Sequence, residues 1–118
     1  MSAPAWTLTT RAGSQVQREH LESLEQALDA LEKRAAELAT EASREEVRFL
    51  SRRIEPARQV AARLEISGSR GRRESVRGGV DLRGDGSVEA FTGRVRRAAI
   101  ERRSGESATD ALRRALAT

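Results

Sequence analysis

The sequence predicts an α+β fold in which a small, mostly antiparallel sheet is covered by two amphipathic helices. Three observations lead to this prediction. Residues 23–42 have apolar side chains at helical spacing, residues 58–66 and 78–95 alternate apolar with polar side chains, and residues 107–117 begin with a helix-capping pattern. With 118 residues, the chain has the length of one domain, which we take to span 1–118.

The composition limits the core and the chemistry that the chain can support. Only 3% of the residues are aromatic, so the core has to be built from aliphatic side chains. The absence of cysteine excludes disulfides and cysteine-based metal sites. There is no apolar run long enough to cross a bilayer and no secretory signal, so we expect a cytoplasmic protein that has no membrane partner.

Charge is distributed unevenly along the chain. Residues 1–46 contain 5 basic and 9 acidic residues, whereas residues 47–118 contain 17 basic and 9 acidic residues. This asymmetry predicts either an acidic partner or a contact between the two parts of the chain.

The first predicted element is a strand over residues 5–11, where apolar and polar side chains alternate. Residues 12–14 can turn the chain into a second short strand around Val16, which would complete an N-terminal hairpin. Alternatively, Ser14 and Gln17 cap a helix that starts early.

The clearest helix covers residues 23–42, and Ser23 with Gln26 matches a capping box at its start. The helix has one apolar stripe, formed by Leu21, Leu24, Leu28, Leu31, Ala35, Leu38 and Ala42. Such a stripe fits a helix lying on the apolar face of a sheet, but three heptads also match a coiled coil. The candidate helix interface for self-association therefore consists of Leu24, Leu28, Leu31 and Leu38.

The next segment has two interpretations. In residues 43–55, helical spacing competes with a strand-like alternation of Val47 and Phe49, and Pro56 ends either element. After Pro56, helix propensity favours a helix, whereas the period-two alternation favours a strand over residues 58–66. We prefer the strand, because a hairpin of two strands alone is only marginally stable.

Residues 78–95 form the best-defined hairpin. A three-residue loop over residues 84–86 places Leu82 opposite Val88, whereas a two-residue loop would place it opposite Glu89. We predict the three-residue loop, because it keeps one face of the hairpin apolar.

The last predicted element is a helix over residues 107–117, in which Ser107 and Asp110 match a capping box. The predicted order of helix, three strands and helix is similar to that of the double-stranded RNA-binding domain. That family has a lysine cluster at the start of its last helix, where this chain reads Ser-Ala-Thr-Asp from Ser107, so no functional residue is carried over.

Arginines flank the hairpin on both sides and are the candidate anion-binding or nucleic-acid-binding residues. Those before it lie in or after residues 67–75, a segment rich in Gly, Ser and Arg that is predicted to be a loop. Guanidinium groups suit phosphates and carboxylates alike, but solvated arginines that protect a sheet edge give the same pattern. The arginines are Arg70, Arg72, Arg73, Arg77, Arg94, Arg96 and Arg97.

The sequence shows no catalytic constellation: it has no nucleophile with an adjacent base, no phosphate-binding loop and no set of metal ligands. We therefore expect no enzymatic activity and no cofactor. The predicted function is that of a non-catalytic binding or scaffolding module that acts through self-association or a protein partner. The alternative is a nucleic-acid-binding protein that uses the arginine clusters for RNA or DNA.

Overall fold

The computed structural model describes residues 6–48, 60–70, 74–84, 87–93 and 97–116. The described strands form one antiparallel sheet in the order β2-β1-β3-β4-β5-β6, and two helices complete the α+β fold that the sequence predicts. In chain order the elements are β1 (Trp6–Ala12), β2 (Gln15–Leu21), α1 (Leu24–Arg48), β3 (Val60–Arg70), β4 (Glu74–Arg83), β5 (Val88–Thr92), β6 (Ala98–Ala99) and α2 (Ala108–Leu116).

The N-terminal hairpin is confirmed, and its second strand is longer than predicted. Gly13 has a φ of 60°, and no described non-glycine residue has a positive φ. A positive φ at the first of two loop residues defines a type II′ turn, whose twist matches that of paired strands. The alternative helix cap at Ser14 and Gln17 is wrong, because Gln17 lies within β2 opposite Thr10.

The predicted strand over 58–66 is confirmed as β3, while residues 58 and 59 lie outside the described residues. The predicted loop over 67–75 is wrong for most of its length, because the pairing of β3 with β4 continues through Ser67 opposite Arg77 and Gly68 opposite Val76. Backbone hydrogen bonds extend the ladder through a segment whose sequence has no alternation of apolar and polar side chains.

The register of the hairpin formed by β4 and β5 is confirmed. Leu82 lies opposite Val88, and the Arg83 N–H donates to the Ser87 carbonyl at 2.8 Å across the loop of three residues. The short strand β6 continues the sheet beyond β5, because Ala99 pairs with Phe91.

Both helices begin with the predicted capping boxes. The Gln26 N–H donates to Ser23 Oγ at 3.1 Å, and the Asp110 N–H donates to Ser107 Oγ at 3.0 Å. Helix α1 continues to Arg48, past the predicted end at residue 42, and this resolves the first part of the ambiguous segment 43–55 as helix.

Both helices pack on the same face of the sheet, which we call the inner face, and they bury one aliphatic core between themselves and the strands. The side chains at the alternate strand positions form the opposite, outer face. Removing a fully buried leucine from such a core costs about 2–5 kcal/mol. The largest fully buried side chains are those of Leu28, Leu31, Leu64, Ile66, Val80, Leu82 and Leu112.

Candidate functional site

The outer face holds two members of the predicted arginine clusters, Arg77 and Arg97. Both guanidinium groups contact the same carboxylate, since Arg77 Nη1 lies 3.5 Å from Glu65 Oε2 and Arg97 Nη2 lies 3.5 Å from Glu65 Oε1. The Glu65 side chain is only 12% exposed. An external anion would therefore have to compete with a carboxylate that the sheet already holds between the two arginines.

A second ion pair lies beside the first on the outer face. Arg63 donates from Nε to Asp81 Oδ1 at 2.5 Å and from Nη2 to Asp81 Oδ2 at 3.1 Å. This bidentate hydrogen bond is the main cause of the raised pKa of Arg63. Glu89 lies opposite Asp81 on the neighbouring strand β5, and Arg83 Nη2 approaches Glu89 Oε2 at 3.5 Å. These carboxylates balance the arginine charge of the outer face.

Phe91 is buried on the outer face, away from the aliphatic core, and is only 4% exposed. The guanidinium carbons of Arg63 and Arg97 lie 5.7 and 5.4 Å from the centroid of its ring. Gly79 lies opposite Phe91 in the register of β4 and β5. Contacts of cations with an aromatic ring contribute about 0.5–2 kcal/mol each, so the ring stabilises the two arginines.

The structure brings together only part of the predicted arginine set. Arg70 lies at the end of β3, whereas Arg72, Arg73, Arg94 and Arg96 lie outside the described residues. Because Arg77 and Arg97 already share a carboxylate, their geometry gives nucleic-acid binding no added support. That function stays a prediction.

The predicted helix interface lies between α1 and the sheet. Leu28 and Leu31 are fully buried, Leu38 is 7% exposed, and Leu24 packs at the edge of the same core. A second copy of the chain could contact this stripe only after the helix had left its own sheet. Self-association of the folded chain therefore requires another surface.

The edge of β2 is such a surface. The side chains of residues 15–20 are all exposed, and among the described strands β2 pairs only with β1. A two-residue type II′ loop is closed by a hydrogen-bonded pair, here Ala12 with Gln15. Since hydrogen-bonded and non-hydrogen-bonded pairs alternate along an antiparallel ladder, the backbone N–H and C=O groups of Val16, Arg18 and His20 face away from β1. We call this row of outward backbone groups the β2 edge.

A cleft of about 410 Å³ opens between the inner face of β2 and helix α1. Arg34 Nη1 contacts Glu37 Oε2 at 3.0 Å along the helix, while Arg34 Nε is buried and has no hydrogen-bond partner among the residues that the structure describes. We call this cleft the Arg34 cleft, and it is lined by Leu8, Thr10, Gln17, Arg18, Glu19 and Arg34.

Sequence reasoning missed both the β2 edge and the Arg34 cleft. The type II′ turn at Gly13 was the available signal for the edge, because a turn of this kind demands a paired strand on each side. No local signal identifies Arg34, which lies on the flank of an amphipathic helix and meets β1 and β2 only after folding.

The described part of the chain contains neither a candidate metal site nor a candidate membrane-spanning helix. Its residues include no group of three or more histidines, aspartates or glutamates that could hold a metal ion, and no described helix could cross a membrane. Comparisons with protein-family models, with curated proteins and with solved structures found no match.

Proposed function

We propose that this chain is a non-catalytic binding module that joins another polypeptide by accepting a β-strand at the β2 edge. The observation that supports this proposal most directly is the exposed, regularly paired strand β2, which ends the described sheet. The outward N–H and C=O groups of Val16, Arg18 and His20 need hydrogen-bond partners, and an extended segment can supply them in place of water. Strand β2 contains no proline, and its pairing with β1 has no bulge, so neither feature prevents a further strand from pairing with it.

The charges of β2 favour a partner protein over a second copy. In a two-fold antiparallel pairing centred on Arg18, this side chain faces its own copy. A pairing centred on Glu19 places this side chain opposite its own copy in the same way. Both arrangements are unfavourable, because like charges directly opposite destabilise strand pairs. A pairing centred on Gln17 avoids the repulsion but shortens the ladder to residues 15–19. A heterologous strand meets none of these restrictions.

Two observations support a module that has no catalytic role. The outer-face carboxylates Asp81, Glu65 and Glu89 are all engaged by arginines, which leaves them poorly suited to act as a general acid or base. The exposed residues of β2 include no nucleophile, and its one histidine lies within 3.3 Å of Thr7 Oγ1 rather than a carboxylate. The cytoplasmic location stays a prediction of the sequence.

The test deletes one outward N–H group. Arg18→Pro removes a donor of the β2 edge while sparing the ladder with β1, and Arg18→Ala removes the same side chain while keeping the donor. The immobilised full chain is panned against displayed random dodecapeptides, and selected peptides are measured against all three proteins. We expect binding to the wild type and to Arg18→Ala, and loss of binding to Arg18→Pro.

Peptides that bind the proline variant as tightly as the wild type would contradict the proposal, as would a library that yields no binder. Circular dichroism of each variant checks that the fold is retained. Light scattering of the wild type over a range of concentrations tests the second copy as occupant. A dimer that Arg18→Pro dissociates would place a second copy, instead of a different protein, on the β2 edge.

A further inference from the structure

Arg34 differs from Arg63, Arg113 and Arg114 in the way its guanidinium group is used. In Arg63 and Arg114, Nε and Nη2 donate side by side to one carboxylate, and in Arg113 the same two nitrogens donate to Glu25 and Asp29. This edge of the guanidinium group matches the geometry of a carboxylate.

The corresponding edge of Arg34 has no acceptor among the described residues. Only Nη1 of Arg34 makes an ion pair, with Glu37, and Nε is the buried side-chain nitrogen that lacks a partner among the described residues. A buried donor that has no acceptor is unfavourable for the folded chain. Glu19 lines the same cleft but makes no ion pair there. Within the described part of the chain, a carboxylate therefore engages only Nη1 of this guanidinium group.

The position of Arg34 connects this donor to the β2 edge. Gln17 and Glu19 lie on the inner face of β2, opposite Thr10 and Leu8 of β1, and all four residues line the Arg34 cleft. A strand added to β2 lies about 4.8 Å further out, and its alternate side chains also point to the inner face. A side chain of the length of glutamate at one of these positions reaches towards the cleft.

We infer that the Arg34 cleft binds a carboxylate side chain, Asp or Glu, from the strand that pairs with the β2 edge. This inference rests on the proposed function and adds the chemistry of the partner: an extended segment with an acidic side chain at one inward position. The backbone of β2 supplies the general attraction, while the partly exposed guanidinium group of Arg34 selects the carboxylate. Arg18 also lines the cleft and has no ion pair among the described residues, so it adds a second positive charge that opposes the negative charge of Glu19.

The experiment uses peptides selected on the wild-type chain in the edge test. Each peptide is synthesised with its acidic residue unchanged and with that residue replaced by the matching amide, and both forms are titrated against the wild type and Arg34→Gln. Lys33→Gln removes a neighbouring positive charge from an exposed position of α1 that does not line the cleft, and serves as the control.

We expect the amide peptide to bind the wild type and Lys33→Gln about tenfold more weakly than the acidic peptide, as the loss of a charge-assisted hydrogen bond requires. Arg34→Gln should bind both peptides alike. Equal binding of both peptides to the wild type, with binding still lost in Arg18→Pro, would overturn the carboxylate site and leave the strand site intact.

Discussion

The two ends of the sheet use the same residue types in opposite ways. At the arginine end, formed by β4, β5 and β6, charged side chains contact one another, as Arg77 and Arg97 do through Glu65. At the hairpin end, formed by β1 and β2, Arg11 and Arg18 are exposed and have no ion pair among the described residues. The arginine end stabilises the fold, whereas the hairpin end leaves its donors and charges available.

The two edge strands differ in the same sense. Strand β6 has two residues and is too short to template another strand, whereas β2 has seven residues in regular register. Proteins commonly protect their sheet edges with very short strands, and β6 follows that rule. Strand β2 is a long, regular edge strand that lacks this protection, and it is therefore the better candidate for binding. Charged side chains are denser at the arginine end, so charge density alone does not locate the proposed binding surface.

The largest effect is expected from a substitution at the arginine end. A Cβ atom on Gly79 would overlap the backbone carbonyl of Leu64, whereas a Cβ on Gly13 would meet no atom within 4 Å. We expect Gly79→Ala to lower the free energy of unfolding by about 3 kcal/mol or to prevent folding, since a backbone overlap cannot be relieved by a change of rotamer. Gly13→Ala, at the hairpin end, should cost only about 1–2 kcal/mol through its positive φ.

Urea denaturation of both alanine variants measures this difference. If Gly13→Ala were the more harmful of the two, the hairpin end would be the part that determines stability, and the contrast between the ends would be reversed.

A smaller effect is expected from the ion pairs. Asp81→Asn removes the charge that holds Arg63, and the Asp81 side chain is only 14% exposed, so we expect a loss of about 1–3 kcal/mol. Glu19→Gln, at the hairpin end, removes an exposed charge that has no ion pair in the described part of the chain, and it should change the free energy of unfolding by less than about 0.5 kcal/mol. Equal losses in the two variants, measured by denaturation at neutral pH, would show that the outer-face pair contributes no more than a solvated charge.

The smallest effect concerns pH. Arg114 donates to both carboxylate oxygens of Glu106, and this hydrogen bonding lowers the pKa of Glu106 to about 2. Because the folded pKa lies below the unfolded one, the contribution of Glu106 is complete above about pH 4.5 and is lost as the pH falls towards 2. Melting temperatures measured across this range should fall less steeply in Glu106→Gln than in the wild type.

Glu32→Gln is the matched control, because Glu32 is exposed on α1 and has no ion pair among the described residues. Its pH profile should follow that of the wild type. Parallel profiles for the wild type and Glu106→Gln would contradict the role of the pair with Arg114.

The sequence predicts those elements whose causes are local. The capping boxes at Ser23 and Ser107 and the apolar stripe of α1 can be read from neighbouring residues, and they located both helices. The register of β4 with β5 followed from matching Leu82 to Val88. The length of β2 and the continuation of β3 beyond residue 66 could not be predicted, because polar strands are held by backbone pairing with a partner that is distant in the chain.

The site was less predictable than the fold. Arginine content directed attention to Arg77 and Arg97, but their shared contact with Glu65 depends on the packing of three separate segments. Arg34 offered no distinguishing pattern, since its unfilled donor edge arises only where α1 passes over β1 and β2. Unpaired donors, unlike arginine clusters, become visible only in three dimensions.

Amide hydrogen exchange along β2 tests the central claim most directly, with and without a selected strand peptide. In the free chain, we expect fast exchange at Val16, Arg18 and His20 and slow exchange at Gln17 and Glu19, whose N–H groups face β1. The peptide should slow the exchange of the first three amides and leave the other two almost unchanged. Protection of Val16, Arg18 and His20 in the free monomer, or bound peptide that leaves their exchange fast, would contradict an open edge that accepts a strand.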